Sequence, residues 1–250
     1  MQKREEKTLI EGSKKIGINL NDYQIEKFSQ YFDILAKWNE KINLTSIKDS
    51  KKIITKHFLD SLTCVKIINS YLNEIDNKKE DIRVIDIGTG AGFPGIPLKI
   101  LLPFLKLSLL EARKKKIVFL EELVRQLEFK GVKVITNRAE TLGKSVEYRE
   151  KYNIAISRAV APLNVLSEYS LPLIMRGGWF IAQKGRAYKE ELEYGLKAIK
   201  LLGGEFIRLE NIRIPFLEQE RYILIIKKTK STPPKYPRRD GMPQKRPLNF

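Results

Sequence analysis

The chain has 250 residues, enough for one ordinary domain with an appendage or two small domains, and enough to bury a substantial core. Its 42% hydrophobic and 31% charged content is a globular balance, and 47 Lys and Arg against 30 Asp and Glu leave a net charge of +17, which points to a polyanionic partner rather than a merely Lys-rich solvated surface. One cysteine, Cys64, and one histidine, His57, exclude an internal disulfide, a zinc finger and a cysteine-ligated iron–sulfur cluster, so no metal is expected.

Residues 1–80 read as helical. The first 15 carry both signs of charge and no apolar segment, unlike a signal peptide. No apolar run anywhere approaches the ~18–20 residues that span a bilayer, so a cytoplasmic protein without membrane contact is expected. In Asn21–Leu44 the residues Ile25, Phe28, Phe32, Leu35 and Ile42 recur at helical spacing, with Asn21 or Asp22 as cap. A second helical stretch begins near Asp49 and runs through Phe58, Leu62, Val65 and Ile68. Asn73–Asp81 reads as a polar loop.

The pattern then changes. Strands are predicted at Arg83–Ile87, Leu105–Leu110, Val132–Thr136, Asn153–Ile156, Trp179–Gln183, Phe206–Leu209 and Tyr222–Ile226. Helices are predicted at Pro94–Leu102, Lys114–Phe129, Glu140–Tyr148, Leu163–Met175 and Tyr188–Leu202. Alternating strands and helices with near-continuous apolar strands imply an α/β sheet covered on both faces. The link between the last two strands, Asn211–Arg221, is too short for a parallel crossover, so an antiparallel hairpin should end the sheet. Residues Lys227–Phe250 hold eight basic residues, Asp240 and five of the eleven prolines. That composition cannot form a core; it suits a disordered appendage or a strap that meets an anion. The divisions are thus a helical region (1–80) packed on the core, an α/β domain (81–228) and a basic Pro-rich tail (229–250).

The most informative segment is Val84-Ile-Asp-Ile-Gly-Thr-Gly-Ala-Gly-Phe-Pro-Gly95. An apolar strand runs into three alternating glycines, Gly88, Gly90 and Gly92, and Pro94 suits a first helical turn. A strand, Gly-rich turn and helix at the carboxyl edge of an α/β sheet form the usual crevice for a nucleotide-like ligand. No GxxxxGK[ST] is present, which excludes a phosphate-cradling P-loop. The GxGxxG match beginning at Gly90 sits two residues late for a dinucleotide fingerprint. Asp86, just before the turn, would repel a pyrophosphate and attract the ammonium and sulfonium of S-adenosylmethionine (SAM). Glu111 closes the next strand, 23 residues after Gly88, near the offset at which an acid accepts ribose hydroxyls. Asn137-Arg-Ala-Glu140 follows the third strand, where contacts to adenine are usual; Glu140 is equally explained as an acid favoured at a helix N-terminus.

The acceptor of a methyl group is constrained too. Carbon-5 of a pyrimidine usually needs a covalent cysteine, and Cys64 lies in the helical region. An exocyclic adenine amine usually needs an Asn/Asp-Pro-Pro-aromatic loop after strand four, where this chain has Ser157-Arg158-Ala159. A hydroxyl needs a general base, and His57 is as easily a packing residue. Guanine N7 needs none of these, because its in-plane lone pair carries no proton, so proximity and alignment suffice.

The segments Asn43-Leu-Thr45, His57-Phe-Leu-Asp-Ser61, Val84–Ile100 with Phe93-Pro94-Gly95, Leu110-Glu-Ala112 followed by the basic run Arg113–Lys116, Arg138-Ala-Glu140, Ile156-Ser-Arg-Ala159, Gln183-Lys-Gly185 and Tyr236-Pro-Arg238 with Gly241-Met-Pro and Lys245-Arg-Pro-Leu248 stand in the order and spacing of a known family. The chain resembles the bacterial 16S rRNA (guanine-N7)-methyltransferase family RsmG (GidB) over nearly its whole length. The resemblance implies a class I SAM-dependent methyltransferase fold, Rossmann-like, with a seven-stranded mostly parallel sheet, an antiparallel end hairpin and an N-terminal helical extension. It implies SAM as cofactor and a guanine of 16S rRNA, in the free RNA, the small ribosomal subunit or an assembly intermediate, as target; a monomer is expected. Carried over by position, Gly88, Phe93, Ala139, Glu140 and Arg158 are cofactor residues, with Glu111 on the ribose; the charge argument adds Asp86 and Gly90. Arg158 is left between the SAM carboxylate, an rRNA phosphate and guanine O6, and is the one candidate catalytic residue. Lys114, Lys115, Lys116, Lys184, Arg186, Arg238, Arg239, Lys245 and Arg246 are the expected rRNA contacts, with Phe93 and Tyr236 as candidate stacking platforms and Trp179 read as core. Removing the tail is expected to weaken RNA binding and spare SAM. An NAD-dependent oxidoreductase and a non-catalytic RNA-binding protein are the alternatives.

Overall fold

The computed structural model describes residues 1–75, 81–158, 161–186, 188–218 and 220–249. Helix α1 (Lys3–Lys15) precedes the long α2 (Asp22–Ile42). Of the two cap candidates, Asn21 caps α2: its Oδ1 accepts the Gln24 N–H at 2.9 Å while Gln24 Oε1 accepts the Asn21 N–H at 3.1 Å. The stretch from Asp49 is not one regular helix. It breaks into α3 (Ser50–Ile53), a π-helical turn (Ile54–Leu59), α4 (Asp60–Leu62) and α5 (Cys64–Glu74). The cause is local: hydroxyls of Thr55, Ser61 and Thr63 donate back to the carbonyls of Lys51, His57 and Asp60 and compete with the regular ladder. The widened turn carries His57 and leads directly into Asp60.

The sheet holds β1 (Arg83–Ile87), β2 (Lys106–Glu111), β3 (Val132–Thr136), β4 (Tyr152–Arg158), β5 (Ile174–Lys184), β6 (Gly204–Arg213) and β7 (Glu220–Lys228) in the order β3-β2-β1-β4-β5-β7-β6. The first five are parallel; β7 runs antiparallel between β5 and β6. This is the class I methyltransferase sheet. The hairpin is where the sequence places it, and burial explains why β7 sits inside and β6 at the edge: Ile223–Ile226 is a continuous sealed run, whereas β6 is half-exposed along most of its length. Strand β5 starts earlier than predicted, at Ile174, because Pro172 stops the preceding helix and the chain turns through Leu171–Leu173 into the sheet.

Helices α6 (Gly95–Leu101) and α7 (Lys114–Gln126) lie with the N-terminal helices on one face; α8 (Ala139–Lys144), α9 (Leu163–Ser170) and α10 (Tyr188–Leu201) cover the other. None of the described helices is long and apolar enough to cross a membrane. The tail, which ends in α11 (Met242–Lys245), departs from its composition: Tyr236 and Leu248 are buried in the second core, and Arg238 is locked to the fully buried Glu168 by bonds of 2.6–3.1 Å. A few well-spaced apolar residues and one internal ion pair suffice to dock a chain that cannot build a core alone.

The N-terminal helices and the sheet share one core. Phe58 is fully buried between Phe28, Tyr31 and Phe93, with ring centroids 5.1, 5.2 and 5.9 Å away. Phe58→Ala should lower the unfolding free energy by about 3–5 kcal/mol, read by urea denaturation with both tryptophan fluorescence and circular dichroism; the two signals should still coincide in one transition.

Candidate active site

At the carboxyl edge of the sheet, Gly88, Gly90 and Gly92 all adopt left-handed φ values (68°, 63° and 94°). Gly92 is required twice over, since a Cβ there would lie 2.9 Å from Ile96 Cγ1 and from the Tyr31 hydroxyl. Tyr31 donates its hydroxyl hydrogen to Ala91 O at 2.5 Å, so helix α2 also grips the turn.

Two carboxylates hold this turn from inside. Asp86 is fully buried; its Oδ2 accepts the Thr89 hydroxyl at 2.7 Å and the Gly95 N–H at 2.8 Å, and its Oδ1 has no partner among the described residues. Burial pushes its pKa up to about 6, against the two hydrogen bonds. The charge argument puts Asp86 among the cofactor-pocket residues. The structure instead seats it beneath the turn, away from the cleft wall, where the absence of a side chain on Gly95 lets it approach. Its charge reaches the cleft through space only. Glu111 ends β2; its Oε1 accepts the N–H groups of Ala112 and Arg113 at 2.9 Å each, and its Oε2 accepts the Gly90 N–H at 3.2 Å. Ala139 and Glu140, both buried, open α8 on the far side of β3; Glu140 Oε1 accepts the Gly241 N–H of the tail at 2.8 Å.

In front of the turn lies a cleft of about 510 Å³ whose wall includes Gly88, Gly90, Phe93, Arg158, Thr45, His57, Asp60, Gln183 and Arg221. Arg158, at the end of β4, sits 5.0 Å from the Phe93 ring centroid, bonds Asp60 Oδ2 at 3.3 Å and approaches His57 Nδ1 at 3.2 Å through Nη2. Asp60 is sealed from solvent and also takes Arg221 Nε at 3.1 Å, so one buried carboxylate aligns two guanidinium groups. His57 stacks on Phe93, with centroids 4.6 Å apart and planes at 17°, and its Nε2 lies 2.9 Å from Thr45 Oγ1. A guanidinium can only donate, so Nδ1 is the acceptor and Nε2 carries the proton. Burial, then the Arg158 charge, lowers the His57 pKa to about 3. The imidazole is therefore neutral, yet its one lone pair is spent on Arg158.

Gly88, Gly90, Phe93 and Arg158 line one cleft, with Glu111 tied to the same turn; Glu140 stands apart on α8. Ala159, the end of the fourth predicted motif, lies outside the described residues. Two expected RNA contacts are already engaged. Lys184 is buried, with Nζ 2.6 Å from Glu191 Oε2 and 2.5 Å from Ala161 O, and Arg238 is the internal partner of Glu168. Apolar neighbours and a matching acid hold each cation inward, which a count of basic residues does not reveal. Tyr236 is buried and Phe93 is covered by His57, so neither offers a free stacking face. Lys114, Lys115, Arg186, Arg239, Lys245 and Arg246 are exposed, and Lys116 is half-buried with its amine beside Gly90. Sequence reasoning assigned no role to Thr45, His57 and Asp60, although their motifs were visible and the i, i+3 spacing of His57 and Asp60 puts both on one helical face. Arg221 carried no signal at all.

The fold and site define a class I methyltransferase. Residues 24–220 match the family model for rRNA small subunit methyltransferase G (GidB). Curated proteins called ribosomal RNA small subunit methyltransferase G include one from Alkaliphilus oremlandii, 48% identical over 96% of this chain and 97% of its own length, and one from Thermoanaerobacter sp., 44% identical over 99% and 100%. Among solved structures, MtNAS in complex with MTA and tNA superposes with a TM-score of 0.53 at 11% identity, covering 83% of this chain and 76% of that one, a likeness of fold alone. The chain belongs to the rRNA small subunit methyltransferase G family.

The sole histidine gives a direct check on the site. In the unfolded chain it titrates near 6.5, so between that pH and about 3 the unfolded state binds a proton that the folded state does not, and this group lowers stability as the pH falls. NMR of the imidazole should show a neutral Nε2–H tautomer from pH 8 down to about pH 4; a midpoint near 6.5 would contradict the arrangement.

Proposed function

We propose that this protein transfers the methyl group of SAM to N7 of a guanine in 16S rRNA, presented as RNA or within the small ribosomal subunit. The observation that carries the choice of acceptor is the commitment of both groups placed to take a proton. The His57 lone pair is held by Arg158, and Asp60 is clamped between Arg158 and Arg221. An acceptor that must lose a proton has no base here, whereas N7 attacks through an unprotonated lone pair. Cys64 cannot serve a carbon-5 mechanism, since it is fully buried and burial holds its thiol protonated. Family membership leaves the dehydrogenase and non-catalytic readings without support.

The residues fit SAM. The cleft has the volume of an ordinary cofactor site. Glu111 uses three of roughly four acceptor positions on the backbone, which leaves one for a ribose hydroxyl. Glu140 is buried, and its Oε2 accepts no hydrogen bond among the described residues, which leaves that oxygen for the adenine edge. SAM supplies an electrophilic methyl group on a sulfonium; the chain's part is to hold, orient and shield. Phe93, packed against His57, Arg158 and Tyr31, forms a rigid floor, and the aligned guanidinium groups of Arg158 and Arg221 face the cleft with donors for a carboxylate, a phosphate or guanine O6. Lys114, Lys115, Lys116, Arg186, Arg239, Lys245 and Arg246 are the cations free to meet the rRNA backbone.

Incubation with methyl-labelled SAM and 16S rRNA or small subunits that lack the modification should yield N7-methylguanine and a strand that aniline cleaves at one site. Label on adenine or ribose would refute the acceptor, and no transfer to either substrate would refute the activity. Glu111→Ala should cost about 1.5–3 kcal/mol of SAM binding by calorimetry. Replacing Lys114, Lys115 and Arg239 together by Ala should reduce the slope of log K against log salt for RNA binding by about 2–3 while leaving SAM affinity intact.

A further inference from the structure

We propose that the C-terminal strap is a working part of the cofactor site, in which the Asp240-Gly241 turn positions the Glu140 carboxylate. This rests on reading Glu140 as a cofactor ligand, and it revises the expectation that the tail serves RNA alone.

The strap crosses the face of α8 and α9 and is fixed along its length. Arg149 spans the junction, donating to Gly143 O at 2.8 Å on the α8 side and to Thr232 O and Tyr236 O at 2.7 Å on the strap. Gly143 has no side chain because Pro237 sits there; a Cβ would meet Pro237 Cγ at 2.9 Å. Glu168, buried to 0% exposure, takes both the guanidinium and the backbone N–H of Arg238. Asn164 holds the far end through Leu248 O at 3.2 Å and Asn249 Oδ1 at 2.6 Å.

Between these anchors the strap turns at Gly241, whose φ of +75° suits glycine. There it makes two bonds, both to the first turn of α8. Gly241 donates its N–H to Glu140 Oε1 at 2.8 Å, and Thr141 donates its hydroxyl to Asp240 Oδ1 at 2.8 Å. The first is charge-assisted and takes one carboxylate oxygen while leaving the other open. The bond fixes the orientation of the buried Glu140 carboxylate before SAM arrives, and the ordering cost of binding falls. The strap's inner polar groups are used on α8 and α9; its remaining cations, Lys235, Arg239, Lys245 and Arg246, point to solvent. The tail therefore has an inner side built for the enzyme and an outer side left for an anion.

Calorimetric titration of SAM tests this with the intact chain, a chain ending at residue 239, and both again carrying Glu140→Ala. The shortened chain keeps Tyr236 and Arg238 and loses the turn. Its Kd for SAM should rise about tenfold when Glu140 is present and change less than twofold when Glu140 is Ala. An equal loss in both backgrounds, or no loss beside an intact Glu140, would overturn the proposal. Should the shortened chain misfold by circular dichroism, Asp240→Ala and Thr141→Val keep every anchor; each should raise the Kd two- to threefold, again only with Glu140 in place, and no change would overturn it. If Glu140→Ala alone leaves SAM affinity unaltered while methyl transfer persists, the adenine-side assignment of Glu140 is wrong, an outcome distinct from failure of the strap.

Discussion

The grip of two carboxylates on one glycine-rich turn underlies the site. Asp86 binds the turn from beneath through Thr89 and Gly95, and Glu111 binds it through the Gly90 N–H. Without them, three alternating left-handed glycines would be an entropic liability, since glycine loses more freedom on folding than any other residue. With them, the backbone is set before a ligand arrives, and the turn can face the cleft with no side chain between it and the bound molecule. The acidity that attracts an onium ligand and the rigidity that receives it come from the same pair of residues.

The second constraint lies across the cleft. Asp60 is buried and would be costly alone, but it aligns Arg158 and Arg221, and Arg158 in turn occupies His57. This chain of contacts turns the chain's only histidine from a candidate base into a flat, neutral lid over Phe93. A site so arranged favours positioning over proton transfer, which matches an acceptor nitrogen with nothing to lose. It also joins the N-terminal helices to the end of β4 and the start of β7, so the helical region forms part of the cleft wall.

Much of this was legible in the sequence because it is local. Alternating strands and helices, the glycine spacing after β1, the acid closing β2 and the capping box at Asn21 are each written within a dozen residues. What was not legible depends on distant partners. Asp86 looked like a ligand contact because a sequence shows its place beside the turn but not which way its side chain points. Lys184 and Arg238 looked like free cations because Glu191 and Glu168, which neutralise them, lie 7 and 70 residues away. Arg221 went unnoticed because its partner Asp60 is 161 residues earlier. Composition records the tail's many charges and prolines but not that Tyr236 and Leu248 pack into the second apolar core. The break at His57 was hidden for another reason: back-bonding hydroxyls distort a helix without altering its apolar period.

A crystal structure of the protein with S-adenosylhomocysteine addresses the central claim most directly. The account predicts the ligand across the Gly88–Gly92 turn, a ribose hydroxyl on Glu111, the adenine edge near Glu140, and the sulfur facing the space bounded by Phe93, Arg158 and Gln183. A ligand seated elsewhere, or a turn that must rearrange to admit it, would contradict the account.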